Sequence, residues 1–432
     1  MTGDVPTSPL ELVPAPSDRR IAVRLTPDAL RQVRAGHPWI YDESIVSVSH
    51  RGAPGDLAVV FDEQREFVAI GLYDPGSPIR VKVLHRGRPA RIDEAWFAAA
   101  LSASFERRAV LRDDAATTGY RCVHGENDGL PGIVVDRYDS VLVAKVYSTM
   151  WLPHLRSVVT SLEGIASPDA IVLRLSRNTR GEALAGLFDG AVISGALPDD
   201  GSGATGRTVV EFLEHGLRFE ADVVHGQKTG HFLDQRENRA RVGALARDGD
   251  VLDVFCSSGG FSVHAAAGGA RSVHSIDLNA SSIAAARRNV ELNRETGAIG
   301  ATRHETTTAD AFEAMGRLVR AGRRFDIVVV DPPSFAPNRA SVPRAVVAYA
   351  RLTELATALV RPGGVLVQAS CSSRVGADEF LDIVHRAARG AGHRLVEIER
   401  TAHPIDHPVG FAHGAYLKAL FATVEPAKGL SA

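Results

Sequence analysis

The chain is poor in cysteine, in long apolar runs and in net charge, and each shortage excludes something. Three cysteines, Cys122, Cys256 and Cys371, are scattered over 432 residues. They show neither pairing nor metal-ligand spacing, so a disulfide scaffold and a cysteine zinc site are excluded, no metal is expected, and a reduced, cytoplasmic setting is implied. No apolar run approaches the roughly 20 residues needed to cross a bilayer, so no membrane partner is expected. The first 18 residues hold Asp4, Glu11 and four prolines but no apolar h-region, unlike a secretory signal. There is no excess charge either: 49 Lys and Arg face 51 Asp and Glu, a net charge of −2. Bulk charge therefore does not mark a nucleic-acid binder. No internal repeat is visible.

What remains is a globular composition, 45% hydrophobic and 23% charged, long enough for two or three domains. Residues 1–18 are Pro-rich and polar and are expected to be a disordered tail. Residues 19–91 hold several short strands, a short helix at TPDALRQVRAG and a hairpin broken at Asp62–Arg65, the texture of a small β-barrel-like domain. Its His37-Pro38-Trp39 sits beside a turn and reads as a stacking platform or as core. Residues 79–112 carry eight basic residues (Arg80, Lys82, Arg86, Arg88, Arg91, Arg107, Arg108, Arg112) against Asp93, Glu94 and Glu106, a local +5. That stretch reads either as a solvated face or as a phosphate-tracking patch. Residues 92–207 read as a small α+β domain ending in the linker PDDGSGATGR. From 208 on, a hairpin precedes alternating strands and helices, which argues a mostly parallel sheet covered on both faces. The final strand, AYLKALFATV, is expected antiparallel at the sheet edge.

Residues 250–279, DVLDVFCSSGGFSVHAAAGGARSVHSIDLN, form the unit around which the rest is organised. An apolar strand, a turn of small residues, an Ala-rich helix and a second strand ending on Asp277 make one βαβ unit with a nucleotide-binding layout. A carboxylate at the end of the second strand suits two ribose hydroxyls. The turn lacks the three-glycine dinucleotide fingerprint, which disfavours a dehydrogenase. In open α/β sheets ligands sit at the carboxyl ends of the strands. The residues leaving those ends here are FCSSGGF, Asp277, Asp310, Asp331-Pro332-Pro333-Ser334-Phe335 and Ser370-Cys371-Ser372. Singly each has a bland reading: a Pro-Pro stops a strand, and a lone Cys is usually a small buried hydrophobe. Together they set several carboxylates, a rigid turn and a thiol on one rim.

This pattern resembles the class I S-adenosylmethionine-dependent methyltransferases. More closely, the chain resembles the PUA-domain-containing 23S rRNA (cytosine-C5) methyltransferases. The matching stretches are HPWIYDESI, SPIRVKV, HGENDGLPGIVVDRY, HGQKTGHFLDQRENR, DVFCSSGGFSV, FDIVVVDPPSF, QASCSS and DHPVG…AYLK. The resemblance implies an α/β fold in three parts: an N-terminal PUA-like RNA-binding β-barrel, a small central α+β domain and a C-terminal Rossmann-like methyltransferase with a seven-stranded sheet. It implies S-adenosyl-L-methionine as cofactor and rRNA, in the large subunit or its precursor, as partner; a homodimer stays open. It assigns Asp277 to the ribose hydroxyls and Asp310 to the adenine amino group. The turn with Asp253, Phe255, Ser257 and Gly259 lies along the methionine moiety, and Phe232, Asp234 and Arg236 help to close the site. Cys371 matches the nucleophile, Asp331 a group on the base edge, and Pro332, Pro333, Ser334 and Phe335 the grip on the base. Cys256, inside the cofactor turn, is a decoy nucleophile to be tested. Two other readings remain: methylation of a base nitrogen with Cys371 as mere packing, and a non-catalytic RNA-binding or ribosome-assembly factor.

Overall fold

The computed structural model describes residues 9–176, 179, 186–198 and 208–427. The tail before residue 9 and nearly all of the linker PDDGSGATGR lie outside the described residues. The chain divides into two compact units. One runs through Phe212 and adds Ala221–Leu233 and Ile405–Phe411. The other holds Leu213–Glu220, Asp234–Pro404 and the chain from Ala412.

The first unit contains two sheets. Strands β1 (Arg20–Leu25), β2 (Trp39–Tyr41), β3 (Ile45–Val48), β4 (Leu57–Phe61), β5 (Phe67–Tyr73) and β6 (Ile79–Arg86) form the first, in the order β2-β6-β5-β4-β1-β3. Its two end strands, β2 and β3, are separated in the chain by only Asp42–Ser44. Three residues span at most about 10 Å, so the sheet has to curl round on itself, which is the barrel-like shape the short strands imply. The short helix Pro27–Arg34 starts where Thr26 accepts the N–H of Ala29, an N-cap.

Strands β7 (Gly119–His124), β8 (Ile133–Tyr138), β9 (Val141–Val146), β10 (Ala170–Leu175) and β11 (Ala191–Gly195) form the second sheet, in chain order. β9 and β10 are parallel, joined through the helix Leu155–Ala166; the other neighbours are antiparallel. The two sheets share a core. Leu57, Ile70, Leu72 and Leu84 from the first pack with Tyr120, Val135, Leu142, Leu173 and Ile193 from the second and with Phe97 and Trp151 between. The other face of the first sheet closes its own core around Ile21, Val23, Val33, Val60 and Val81. Leu10 and Val13, within the stretch expected to be a tail, are also buried in the shared core.

The basic run 79–112 is mostly taken up by the fold. Arg80 pairs with Asp42 at 2.8 Å, Lys82 with Asp74 at 3.2 Å and Arg91 with Asp93 at 3.0 Å. Arg107 and Arg108 share Asp128, and Arg112 pairs with Glu106 and Asp113. Arg108 is fully buried and also donates to the carbonyls of Arg121 and Asp406, so it cannot reach a phosphate. Of the eight, only Arg86 and Arg88 have no carboxylate partner among the described residues.

Strands β12 (Val209–Glu214) and β13 (Leu217–Asp222) make a hairpin, turned by His215 and Gly216, both at positive φ. The second unit is built on a seven-stranded sheet of β14 (Asp250–Val254), β15 (Ser272–Asp277), β16 (Arg303–Thr308), β17 (Phe325–Val330), β18 (Val360–Ser370), β19 (His393–Thr401) and β20 (Lys418–Pro426). The order is β16-β15-β14-β17-β18-β20-β19. The first five strands in that order run parallel; β20 is antiparallel to both of its neighbours. This corrects the expectation for the last strand. It is antiparallel, but it lies inside the sheet, and β19 is the edge. The chain reverses its winding between β14 and β17, so the topological switch point lies at the carboxyl ends of those two strands. The core beside the sheet gathers Leu252, Val328, Leu366, Tyr349, Phe380 and Leu420. No described helix is long and apolar enough to cross a membrane, and no metal-binding cluster occurs among the described residues.

Candidate active site

The rim at the switch point starts with the turn after β14. Phe255, Ser257 and Gly259 all adopt positive φ, at 65°, 49° and 77°. Such a turn swings the backbone sharply out of the sheet, while the Cys256 N–H still reaches Ile276 O at 3.0 Å. Gly259 is required twice over: its φ is left-handed, and a Cβ there would stand 2.7 Å from Ala286 Cβ. A Cβ on Gly260 would meet Arg239 Cδ at 2.5 Å. Arg239 is itself fixed by a buried bidentate pair with Glu214, whose Oε1 also faces His264 Nε2 at 3.0 Å. The Arg239 and His264 partners hold the Glu214 carboxyl well below its usual range although burial alone would raise it. The turn thus rests on a rigid base.

Three carboxylates mark the rim. Asp253 is wholly buried; its Oδ2 accepts the Ser262 hydroxyl at 2.6 Å, while Oδ1 has no partner among the described residues. Burial raises its pKa to about 6. An orphaned buried oxygen is costly unless something comes to meet it. Asp277, at the end of β15, accepts the N–H of Ser257 at 3.0 Å on one oxygen and that of Asn279 at 2.9 Å on the other. Each oxygen keeps a lone pair for another donor. Asp310 is exposed and caps the helix Ala311–Arg320 by accepting the Glu313 N–H at 3.1 Å. This set of acceptors fits an adenosyl cofactor with a ribose diol and a cationic amino acid end.

The other half of the rim leaves β17 and β18. Asp331 continues the ladder, its N–H reaching Val254 O at 3.4 Å, and Pro332 to Phe335 follow. The segment after β18 is held by hydroxyls. Tyr349, fully buried, lies 2.8 Å from Ser370 Oγ and 3.2 Å from Ser372 Oγ. Ser372 Oγ is 3.0 Å from Ser334 Oγ and accepts the Ala336 N–H. Cys371, between the two serines, points its Sγ at Pro332 O, 3.7 Å away. The Phe335 ring packs against Tyr349, with centroids 5.2 Å apart, so part of that aromatic face belongs to the core.

The three thiols differ. Cys122 and Cys256 are buried, Cys371 is partly exposed. Burial pushes both buried thiols far up, and for Cys256 the carboxylates of Asp253 and Asp277 push the same way. Cys256 packs with Ile283 and Ala286, in surroundings that favour the thiol over the thiolate.

The sites expected from sequence fall mainly in the second unit. Asp253 is the last residue but one of β14 and Asp277 ends β15; Phe255, Ser257, Gly259, Asp331, Pro332, Pro333, Ser334, Phe335 and Cys371 follow the carboxyl ends of β14, β17 and β18, and Asp310 follows β16. Asp234 accepts the Tyr416 hydroxyl at 2.9 Å, and Arg236 is buried with its Nε 3.0 Å from Glu237. Phe232 belongs to the first unit, where Lys228 Nζ stands over its ring, 4.1 Å from the centroid. Sequence reasoning missed Tyr349 and Lys418. Lys418 begins β20, 6% exposed, and donates to the carbonyls of Ser372, Val375 and Tyr416. Its one signal is a lysine heading a strand whose next four residues, ALFA, are apolar.

Comparison with known proteins gives a consistent picture. Residues 201–423 match the family described as S-adenosylmethionine-dependent methyltransferase, and residues 23–86 match a PUA-like domain. A Deinococcus radiodurans protein named ribosomal RNA large subunit methyltransferase is 46% identical over 413 residues, covering 94% of this chain and 98% of that one. Ribosomal RNA large subunit methyltransferase I of Alteromonas mediterranea is 32% identical over 409 residues, covering 93% and 98%. Among solved structures, a chain from Streptococcus mutans described as a SAM-dependent methyltransferase superimposes with a TM-score of 0.77 at 18% identity, over 93% of this chain and 99% of that one. A methyltransferase solved in complex with SAH gives the same TM-score at 19% identity, over 94% and 99%.

Proposed function

Because this chain belongs to the S-adenosylmethionine-dependent methyltransferases, with a PUA-like domain preceding the catalytic fold, we propose that it methylates large-subunit ribosomal RNA, at carbon 5 of a cytosine, through a covalent adduct on Cys371. The rRNA substrate is supported by relatives of that name aligned over nearly the whole chain. The choice of carbon 5 is carried by one observation: Cys371 is the cysteine that is not buried, at the strand end beside Asp331 and Pro332.

The cofactor supplies an electrophilic methyl group on a sulfonium. In this reading Asp277 receives the ribose hydroxyls, which is supported by each of its oxygens holding a single backbone N–H. Asp310 keeps an oxygen beyond its capping bond for the adenine amino group. Asp253 Oδ1, buried and unmatched, suits a donor at the methionine end. Asp234 and Arg236, in the same unit, are proposed as further cofactor contacts. Carbon 5 of cytosine is a weak nucleophile. When the Cys371 thiolate adds to carbon 6, a C–S bond forms and carbon 5 gains enamine character, so it can attack the methyl. A base then takes the carbon-5 proton, that electron pair re-forms the double bond between carbons 5 and 6, and the C–S bond breaks to release the thiolate. In this reading Asp331 hydrogen-bonds the base edge, and Pro332, Pro333, Ser334 and Phe335 limit how the base enters.

The test is RNA carrying 5-fluorocytosine at the target. Fluorine cannot leave as a cation, so the C–S bond persists after methyl transfer. Wild-type protein should give an adduct stable to denaturing electrophoresis, Cys371→Ala should give none and no methylation, and Cys256→Ala should keep substantial activity. Turnover by Cys371→Ala would refute the carbon-5 route and favour a base nitrogen. Absence of any methylation by the wild-type protein would favour an RNA-binding factor.

A further inference from the structure

Resting on the reading of Cys371 as nucleophile, we propose that Lys418 is its positioning residue. It is a buried ammonium that fixes the segment carrying the thiol and supplies the positive charge its thiolate needs.

The geometry is specific. In the antiparallel ladder Lys418 lies opposite Ser370, the residue before Cys371. Its Nζ turns back to the carbonyl of Ser372, the residue after it, to Val375 O at 2.6 Å, and to Tyr416 O at 3.2 Å. Three carbonyls take three N–H donors, which only the charged ammonium has. A neutral amine would leave one buried carbonyl without a donor. The segment is thus gripped from two sides: Tyr349 holds the hydroxyls of Ser370 and Ser372, and Lys418 holds the main chain beyond Cys371.

Electrostatics act in the same direction. Burial lowers Lys418 to about 8 even though the charges of Cys371 and Glu379 push the other way. Coupling between two sites is reciprocal, so whatever the thiolate does for the ammonium, the ammonium does for the thiolate. Other groups bear on the thiol. The Pro332 carbonyl faces the S–H and favours the neutral form. The Asp331 carboxylate leaves the adjoining strand end with the same sign as a thiolate and opposes it. Tyr349 brings no charge, because burial raises its hydroxyl further. Among these neighbours Lys418 is the cation, and it is held where it cannot swing away.

The experiment is alkylation of Cys371 by iodoacetamide on the full-length protein without RNA, followed by mass spectrometry from about pH 6 to about pH 10. In the wild type the reaction should reach half its maximum below the free-thiol value of about 8.5. In Lys418→Met the midpoint should rise by about one unit, so that alkylation at neutral pH slows about tenfold. Lys418→Arg, which keeps the charge, should lie between them. A Lys418→Met profile that superimposes on the wild type overturns the proposal. Should Lys418→Met unfold, Cys122 and Cys256 would become alkylated as well. The wild-type profile then decides alone, and a midpoint at or above about 8.5 overturns the proposal. Because no RNA is present, this result is independent of whether Cys371→Ala still methylates.

Discussion

Asp277 gives the sharpest test of the cofactor site. Its two oxygens already accept the N–H groups of Ser257 and Asn279, at 3.0 and 2.9 Å. The proposed ribose hydroxyls would add two more charge-assisted hydrogen bonds, each worth about 1.5–3 kcal/mol. Asp277→Ala removes all four of these hydrogen bonds. Taking the lower figure for the two bonds to the ligand, S-adenosylmethionine should bind about a hundredfold more weakly. Asp277→Asn keeps one oxygen but turns an NH2 group toward a backbone donor, so it should lose at least about tenfold. The fold also loses something: two backbone N–H groups exchange a carboxylate for water, at about 1 kcal/mol and a melting temperature lower by a few degrees. Isothermal titration with the cofactor, with melting curves in parallel, separates the two effects. An Asp277→Ala protein that binds with wild-type affinity would refute the assignment. Weakened binding in step with gross unfolding would show only that the turn needs its acceptor.

Three further outcomes follow from the same geometry. Glu214→Ala strands a buried guanidinium beneath the cofactor turn, and loss of one partner of a buried pair costs roughly 3–5 kcal/mol; a melting temperature within a degree of wild type would contradict this. Burial raises the folded-state pKa of Asp253 to about 6 from the usual carboxylate range, so the native state holds this proton more tightly and stability falls as pH rises from about 4 to about 6. Asp253→Asn has no such loss, so its stability relative to wild type, from denaturant titrations, should climb across that window and level off above it. A constant difference would mean the burial has no such consequence. Finally, only Arg86 and Arg88 of the basic run lack a carboxylate partner among the described residues, so replacing each by Ala should lower the salt slope of rRNA binding by about 0.7–0.9 for every phosphate that is no longer neutralised. An unchanged slope would place the phosphate-binding cations elsewhere.

Much of the catalytic fold is legible in the sequence because its signals are local. The strand β14, the Ala-rich helix Gly260–Ala267 and the strand β15 follow directly from hydrophobic period and small residues. The acidic strand ends can be read because several of them, each bland alone, fall on one rim together with the Pro-Pro turn and the thiol. What escapes the sequence depends on neighbours. β16, RHETTT, is polar because it is an edge strand with little to bury, so its pattern resembles a loop. β20 looks like an edge because it is last in the chain, although its run of buried residues is what an interior strand requires. The basic run cannot be interpreted from charge alone, since its carboxylate partners are as far off as Asp42 and Asp128. Lys418 is invisible for the same reason: its partners are backbone carbonyls, which carry no sequence signature.

The core shared by the two N-terminal sheets has a consequence during synthesis. One face of the first sheet is complete once Val83 is made, because its partners all precede that residue. The opposite face, with Leu57, Ile70, Leu72 and Leu84, waits for strands that reach as far as Ile193. At roughly 5–20 residues per second, the ribosome needs some 5–20 seconds to make that stretch. For this interval the nascent chain presents a half-covered sheet, apolar on one side. That is the surface a nascent-chain chaperone recognises, and the period in which two chains on one message could pair wrongly.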